Sequence, residues 1–321
     1  MSDNSKAGTL LTLVVPVFNE QAAIDPFLAR VREVFENQHD VELELLFVND
    51  GSSDKTLEIL LKRQTEDDRI KIVDLSRNFG KEAALTAGLD EAQGNAVVPI
   101  DVDLQHPPET ILQMVPLWRE GFEVVLARRK DRRSDGIAQR LLANMFYKLH
   151  NSLSDPKIPA DVGDFRLLDF TVVRALKRLP ESRRFMKGLF AWAGFKTAMV
   201  EFDCPPREHG NSSFNKWGLW NFALEGITSF STSLLRVWTY IGMLVATASF
   251  IYAAVITFGV LFHGTDVPGY ASLAVMIMFL GGLQLIGTGI LGEYLGRTYI
   301  ESKRRPVYLI RKVHSRKQPD A

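Results

Sequence analysis

From Val237 to Leu261, and again from Tyr270 to Gly292, not one side chain carries a charge. Each run exceeds the ~20 residues that a helix needs to cross hydrocarbon, so the pattern predicts two transmembrane helices in the C-terminal third of the chain. A pair of buried core helices is the other reading, but soluble domains seldom contain uncharged runs this long. The connecting stretch from His263 to Gly269 has no Lys or Arg, whereas Arg236 and a basic tail flank the outer ends. The bias in basic residues places both termini on the cytoplasmic side. Trp238, Tyr240, Tyr294 and Tyr299 fall near the cytoplasmic ends, at the level where amphipathic rings are favoured. Gly281, Gly282, Gly287, Gly289 and Gly292 give the second span a surface that another helix can approach closely, which allows a homo-oligomer through these helices.

The flanks of the spans differ from them in composition. Asn211 to Leu235 is rich in Phe, Trp and Leu, with Lys216 and Glu225 as its charges. It reads as interfacial amphipathic helices, with an ordinary core helix as the alternative. After residue 296, Arg297, Lys303, Arg304, Arg305, Arg311, Lys312, Arg316 and Lys317 face only Glu301 and Asp320. The chain therefore divides into a soluble domain (1–205), an interfacial segment (206–236), two spans (237–296) and a basic cytoplasmic tail (297–321).

The first eight residues are polar and lack the apolar core of a secretory leader, so the soluble domain is expected to stay in the compartment of synthesis. Cys204 is the only cysteine, which excludes an internal disulfide and a thiolate-cluster metal site. Lys plus Arg balances Asp plus Glu at 38 each, and nothing in that balance calls for nucleic acid as a partner.

The soluble part alternates short apolar runs with helical spacing. Leu10 to Phe18, Val41 to Val48, Ile70 to Leu75, Ala96 to Ile100 and Glu123 to Ala127 are rich in β-branched and aliphatic residues, and a helix-like stretch follows each. Regular alternation predicts an α/β domain with a mostly parallel sheet covered on both faces. Ligands of such sheets bind beyond the carboxyl ends of the strands. Polar residues stand at each of those places: Asn19 and Glu20, Asn49 to Gly51, Arg77 and Asn78, Asp101 and Asp103, Arg128 and Arg129.

Asp101 and Asp103 follow an apolar strand and precede Leu104-Gln105-His106-Pro107-Pro108. Hard carboxylate oxygens suit Mg²⁺ or Mn²⁺, ions bound by one or two carboxylates together with substrate phosphates. His106 is either a ligand or a residue that holds the loop. Asp50 lies in Asn49-Asp50-Gly51-Ser52, where it either accepts hydrogen bonds from a ribose or base, or caps a turn. There is no Walker loop and no dinucleotide fingerprint, which argues against ATP hydrolysis and hydride transfer.

Taken together, Pro16-Val17-Phe18-Asn19-Glu20, Asn49-Asp50-Gly51-Ser52, Asp101-Val102-Asp103-Leu104-Gln105-His106-Pro107, Gly163-Asp164-Phe165-Arg166 and Arg207-Glu208-His209-Gly210-Asn211-Ser212 resemble the family-2 glycosyltransferases. The branch they resemble is that of the dolichyl- and polyprenyl-phosphate sugar synthases. Among these, the chain is similar to bacterial undecaprenyl-phosphate glucosyltransferases that serve O-antigen or cell-wall modification. The likeness spans about residues 10–300. It implies a GT-A catalytic domain and an inverting transfer from a UDP-sugar to polyprenyl phosphate at the bacterial inner membrane.

By motif position the resemblance assigns Pro16, Glu20 and Asp50 to the uridine, with Lys81 nearby. Asp101, Asp103 and Gln105 surround the metal and diphosphate, Arg128 and Arg140 lie on the phosphate side, and Arg207 with Ser212 meets the acceptor phosphate. Asp164 is the active-site carboxylate facing the sugar. The family usually continues Gly-x-Ser-Lys-Tyr, whereas Gly210-Asn211-Ser212-Ser213-Phe214 lacks that lysine, and Lys216 comes one turn later. Glucose is the sugar the resemblance favours, with N-acetylglucosamine, galactose, mannose or a modified pentose as alternatives. A polymerising synthase is disfavoured because no Gln-x-x-Arg-Trp element occurs. A catalytically dead membrane scaffold is disfavoured because the motif acids are intact, and a lipid-sugar flippase by the large soluble domain.

Overall fold

The computed structural model describes residues 9–130, 162–179, 186–203 and 269–315, with isolated positions between 181 and 262. Its centre is an eight-stranded sheet made of β1 (Thr9–Val17), β2 (Val41–Asn49), β3 (Ile70–Leu75), β4 (Ala96–Pro99), β5 (Val124–Arg129), β6 (Val162–Asp169), β7 (Thr197–Phe202) and β8 (Ile310–His314). The spatial order is β7-β5-β6-β4-β1-β2-β3-β8. β6 and β8 run antiparallel to their neighbours, and the β1–β2, β1–β4, β2–β3 and β5–β7 pairs are parallel. The mostly parallel sheet expected from the alternation is present.

Side chains of successive strand residues point to opposite faces, so a strand buried on both faces must be apolar throughout. β1 obeys this: Leu11, Leu13 and Val15 join one core while Val14 joins the other. The first core is completed by α1 (Ile24–Phe35), α2 (Thr56–Glu66) and α4 (Glu109–Arg119). The second is covered by α3 (Lys81–Glu91), α5 (Phe170–Lys177) and α6 (Met186–Trp192). The start of α2 is fixed by Asp54, whose carboxylate accepts from the Thr56 amide at 3.0 Å.

α7 (Tyr270–Ser302) is a 33-residue helix over the second uncharged run. Large apolar side chains stand in the open along it, among them Leu273, Phe279, Leu285 and Leu291. Trp238, at the start of the first uncharged run, packs on α7 at Gly287, where a Cβ would lie 2.0 Å from the indole nitrogen. Only a glycine admits that approach. Among the described residues, no helix is long and apolar enough to cross a membrane.

The tail differs from the sequence expectation. Residues 297–321 read as a basic cytoplasmic tail, yet Ile310–His314 forms β8 on the edge of the sheet beside β3. The domain built on this sheet is therefore discontinuous and does not end at residue 205. The physical reason is that β8 is exposed along most of its length, so nothing there demands apolar residues, and Arg311 and Lys312 are tolerated and disguise the strand.

Candidate active site

The sheet order creates a switch point. From β1 the chain proceeds outward to β2 and β3, then returns to β4 on the other side of β1. Connections that leave two adjacent parallel strands in opposite directions open a crevice beyond their carboxyl ends. The residues that follow β1 and β4 therefore face one cleft, flanked by those that follow β2 and β3.

On the β1–β2–β3 side, the loops are stitched to one another. Asn19 has a left-handed φ of 56°, and its side-chain oxygen accepts from the Ser53 amide at 2.8 Å. The Asn19 amide donates to Ser52 Oγ, and the Glu20 amide donates to Thr56 Oγ1. Gly51 has a φ of 66° and lies against the next loop: a Cβ there would be 2.4 Å from the carbonyl carbon of Arg77. Asp50, 3% exposed, accepts from the Phe79 amide at 2.7 Å and the Gly80 amide at 2.9 Å. Burial pushes its carboxyl above the usual range, against the pull of those amides and of Arg77. Both its oxygens thus hold the entry to α3, and each retains a second lone pair for a ligand. Pro16 and Glu20 border the same turn, half-buried.

The β4 side is built from charged side chains. α3 delivers Lys81, whose ammonium lies 2.6 and 2.8 Å from the two Asp101 oxygens. Burial acts to lower the Lys81 pKa, but Asp101, Asp164 and Asp103 outweigh it and hold the group above its usual value. The loop after β4 turns tightly. Leu104 adopts a left-handed φ of 59°, and the Gln105 amide donates to Asp103 at 3.1 Å. A branched residue in that region is strained, and strain of this kind gathers at functional loops. His106 stacks on Phe165 with 4.8 Å between ring centroids and meets Phe202 edge-on. Its Nδ1 accepts from the Asp101 amide at 3.3 Å. Burial lowers its pKa, against the pull of Asp101, so the neutral ring is favoured. This is the geometry of a residue that holds the loop.

Asp164 reaches the cluster because β6 is antiparallel, which places its first residues at the same edge as the ends of β4 and β5. The β5–β6 ladder is irregular there: Leu126 pairs with Arg166, but Arg128 pairs with Val162. Irregularities of this kind re-aim side chains. One Asp164 oxygen is buried with no hydrogen-bond partner among the described residues. Arg128 stands at the end of β5, ion-paired to Glu201 on β7 and 45% exposed. Arg140, Arg207 and Ser212 lie outside the described residues.

Whether the cluster suits a divalent ion can be judged from these groups. Asp101, Asp103 and Gln105 offer hard oxygen donors, and the orphaned Asp164 oxygen signals a missing partner nearby. Among the described residues no group of three or more His, Cys, Asp or Glu side chains forms a ready metal cage. Mg²⁺ and Mn²⁺ are commonly held by one or two carboxylates and completed by a diphosphate.

The motif reading missed the His106–Phe165–Phe202 stack and the Arg128–Glu201 pair. Alternation in Thr197-Ala198-Met199-Val200-Glu201-Phe202 was a legible strand signal for two of these partners.

Parallel strands around a switch point, with carboxylates at one edge, form a crevice where an α/β enzyme binds its ligand. The chain belongs to the glycosyl transferase family 2, whose model matches residues 12–177. It is 52% identical over 303 residues to a prophage bactoprenol glucosyl transferase homolog of Escherichia coli K12, covering 94% of this chain and 99% of the relative. It is 53% identical over 304 residues to an SfII prophage-derived bactoprenol glucosyl transferase of Shigella flexneri, covering 95% and 98%. Among solved structures, glucosyl-3-phosphoglycerate synthase from Mycobacterium tuberculosis, in complex with Mn²⁺, UDP-glucose and phosphoglyceric acid, is similar in fold. The TM-score is 0.50 at 20% identity, over 70% of this chain and 79% of that one.

Proposed function

We propose that the protein transfers glucose, with inversion, from UDP-glucose to polyprenyl phosphate at the cytoplasmic face of a bacterial inner membrane. The observation that carries this reading is the Lys81–Asp101–Asp103–Asp164 cluster at the switch point. The bactoprenol glucosyl transferase names of the two relatives support the acceptor and the sugar.

In this reaction an oxygen of the lipid phosphate forms a bond to the anomeric carbon as the bond from that carbon to the diphosphate breaks, and UDP departs with the electron pair. A phosphomonoester has a second pKa near ~6, so the acceptor is largely dianionic at neutral pH. It needs aiming more than deprotonation. Asp164, with one oxygen buried and uncommitted, is placed to orient the sugar or the acceptor. Lys81 supplies a fixed positive charge where charge develops on the leaving group. Asp101, Asp103 and Gln105 would hold Mg²⁺ or Mn²⁺, which when bound stabilises the departing diphosphate as a Lewis acid. Pro16, Glu20 and Asp50 line the side assigned to the uridine.

The membrane part of the proposal rests on α7. Its exposed Leu, Ile and Phe side chains need cover, which the hydrocarbon of a bilayer would supply to the uncharged run from Tyr270 to Gly292. β1 and β8 share one sheet, so a chain that enters a bilayer between them must cross it an even number of times. Two spans, with both ends on the cytoplasmic side, satisfy that condition.

Purified protein incubated with polyprenyl phosphate, Mn²⁺ or Mg²⁺ and a panel of labelled UDP-sugars tests the reading. It expects one glucose on the lipid and free UDP. Label that stays in UDP-sugar, or appears in a long polymer, contradicts it.

A further inference from the structure

The strand that follows the long helix carries a side chain, that of Arg311, which ties it to the nucleotide side of the cleft. In the β3–β8 ladder, Asp74 pairs with Lys312 but Leu75 pairs with Ile310, so Arg311 is the extra residue of a bulge. A bulge turns its side chain out of the alternation. Arg311 uses that freedom to donate to the Ser76 carbonyl at 2.6 Å and to lie 3.3 Å from Asp74. The Ser76 amide donates back to the Leu309 carbonyl at 2.9 Å.

Both contacts lead into the cleft. Asp74 is 2% exposed and its other oxygen accepts from buried Asn49 at 2.7 Å; Asn49 in turn accepts from the Ser52 amide at 3.3 Å and adjoins Asp50. Ser76 opens the loop whose Phe79 and Gly80 amides rest on Asp50 and whose far end carries Lys81. The rest of β8 buries little, since Ile310, Lys312 and Val313 are exposed. The strand is thus held by its ladder bonds and a few polar ties.

We infer that Arg311 is a positioning residue for the donor nucleotide, clamping the β2–α2 and β3–α3 loops in register. Because α7 runs into this strand through Lys303–Leu309, the same clamp ties the helix to the donor corner. The inference rests on the proposed UDP-sugar donor.

The test compares Arg311→Met, Arg311→Lys and Tyr308→Phe in the full chain, by UDP calorimetry, donor KM, kcat and melting. Tyr308 serves as control because it anchors the same segment by a 2.8 Å bond to Asp90, at the far end of α3. Arg311→Met is expected to raise donor KM and UDP Kd ~10-fold with kcat within ~2-fold, the pattern of lost ground-state binding. Arg311→Lys should restore part of this, because an ammonium lacks the fork that spans both partners. Tyr308→Phe should lower the melting temperature without moving donor KM. If Arg311→Met does not fold, Arg311→Lys decides, with a ~3-fold rise in KM expected. Wild-type donor KM in every variant that folds would overturn the inference. Wild type that does not bind UDP would instead overturn the donor reading.

Discussion

The two sides of the candidate cleft are made of different bonds. Beyond β1, β2 and β3, Asn19, Ser52 and Asp50 are tied to backbone amides of neighbouring loops. Beyond β4 and at the start of β6, Lys81 and Asp101 are tied to each other, and one Asp164 oxygen is tied to no described group. Backbone ties cannot be given up without reshaping a loop. An ion pair between side chains can be exchanged for a ligand. The first side is a frame, and the second is where charge is traded during a reaction.

Substitutions that separate the two sides should show this. On the reactive side, Asp103→Asn should lower turnover ~1000-fold while the melting temperature stays close to wild type, a loss on the scale of removing transition-state stabilisation. A comparable loss of melting temperature would mean that Asp103 belongs to the frame. Asp164→Asn should lower kcat ~100-fold with donor Kd within ~3-fold, read by single-turnover transfer and UDP-glucose calorimetry.

On the frame side the signature reverses. Gly51→Ala places a methyl against the Arg77 backbone at a φ that L-residues resist, and should cost about 2 kcal/mol of unfolding free energy, together with weaker donor binding. The smallest effect belongs to Asp54. Its carboxyl sits below the usual range: burial opposes this, but the Thr56 hydroxyl and amide and the Gln21 amide prevail. A depressed folded pKa gives stability that is present above the unfolded value and lost as pH falls through the folded one. Asp54→Asn should therefore cost about 1 kcal/mol at pH 7, a normal cap effect, and the gap from wild type should close below pH ~4 in urea titrations.

What the sequence revealed follows the same division. β1 to β5 were legible because most of their residues are buried and they read as short runs rich in β-branched and aliphatic side chains, and the acids after them were placed by the rule for parallel sheets. β6 was hidden because Gly163, Asp164 and Arg166 interrupt its apolar run at the irregular end of its ladder. β8 was hidden because its exposed edge imposes no pattern, so a strand of the catalytic domain passed for a tail. Asp50 was assigned as a nucleotide contact or a turn cap, and its carboxylate does hold the turn through Phe79 and Gly80. The pairing of Lys81 with Asp101 follows from the packing of α3 on β1 and β2, which spacing alone does not fix.

The most direct test is a calorimetric titration of UDP into wild type and into Asp101→Asn/Asp103→Asn protein, each with and without Mn²⁺. The account predicts that Mn²⁺ tightens UDP binding to wild type by at least ~10-fold and leaves the doubly substituted protein unchanged. Equal enhancement in both proteins would contradict it, because the ion and diphosphate would then meet somewhere other than this edge of the sheet.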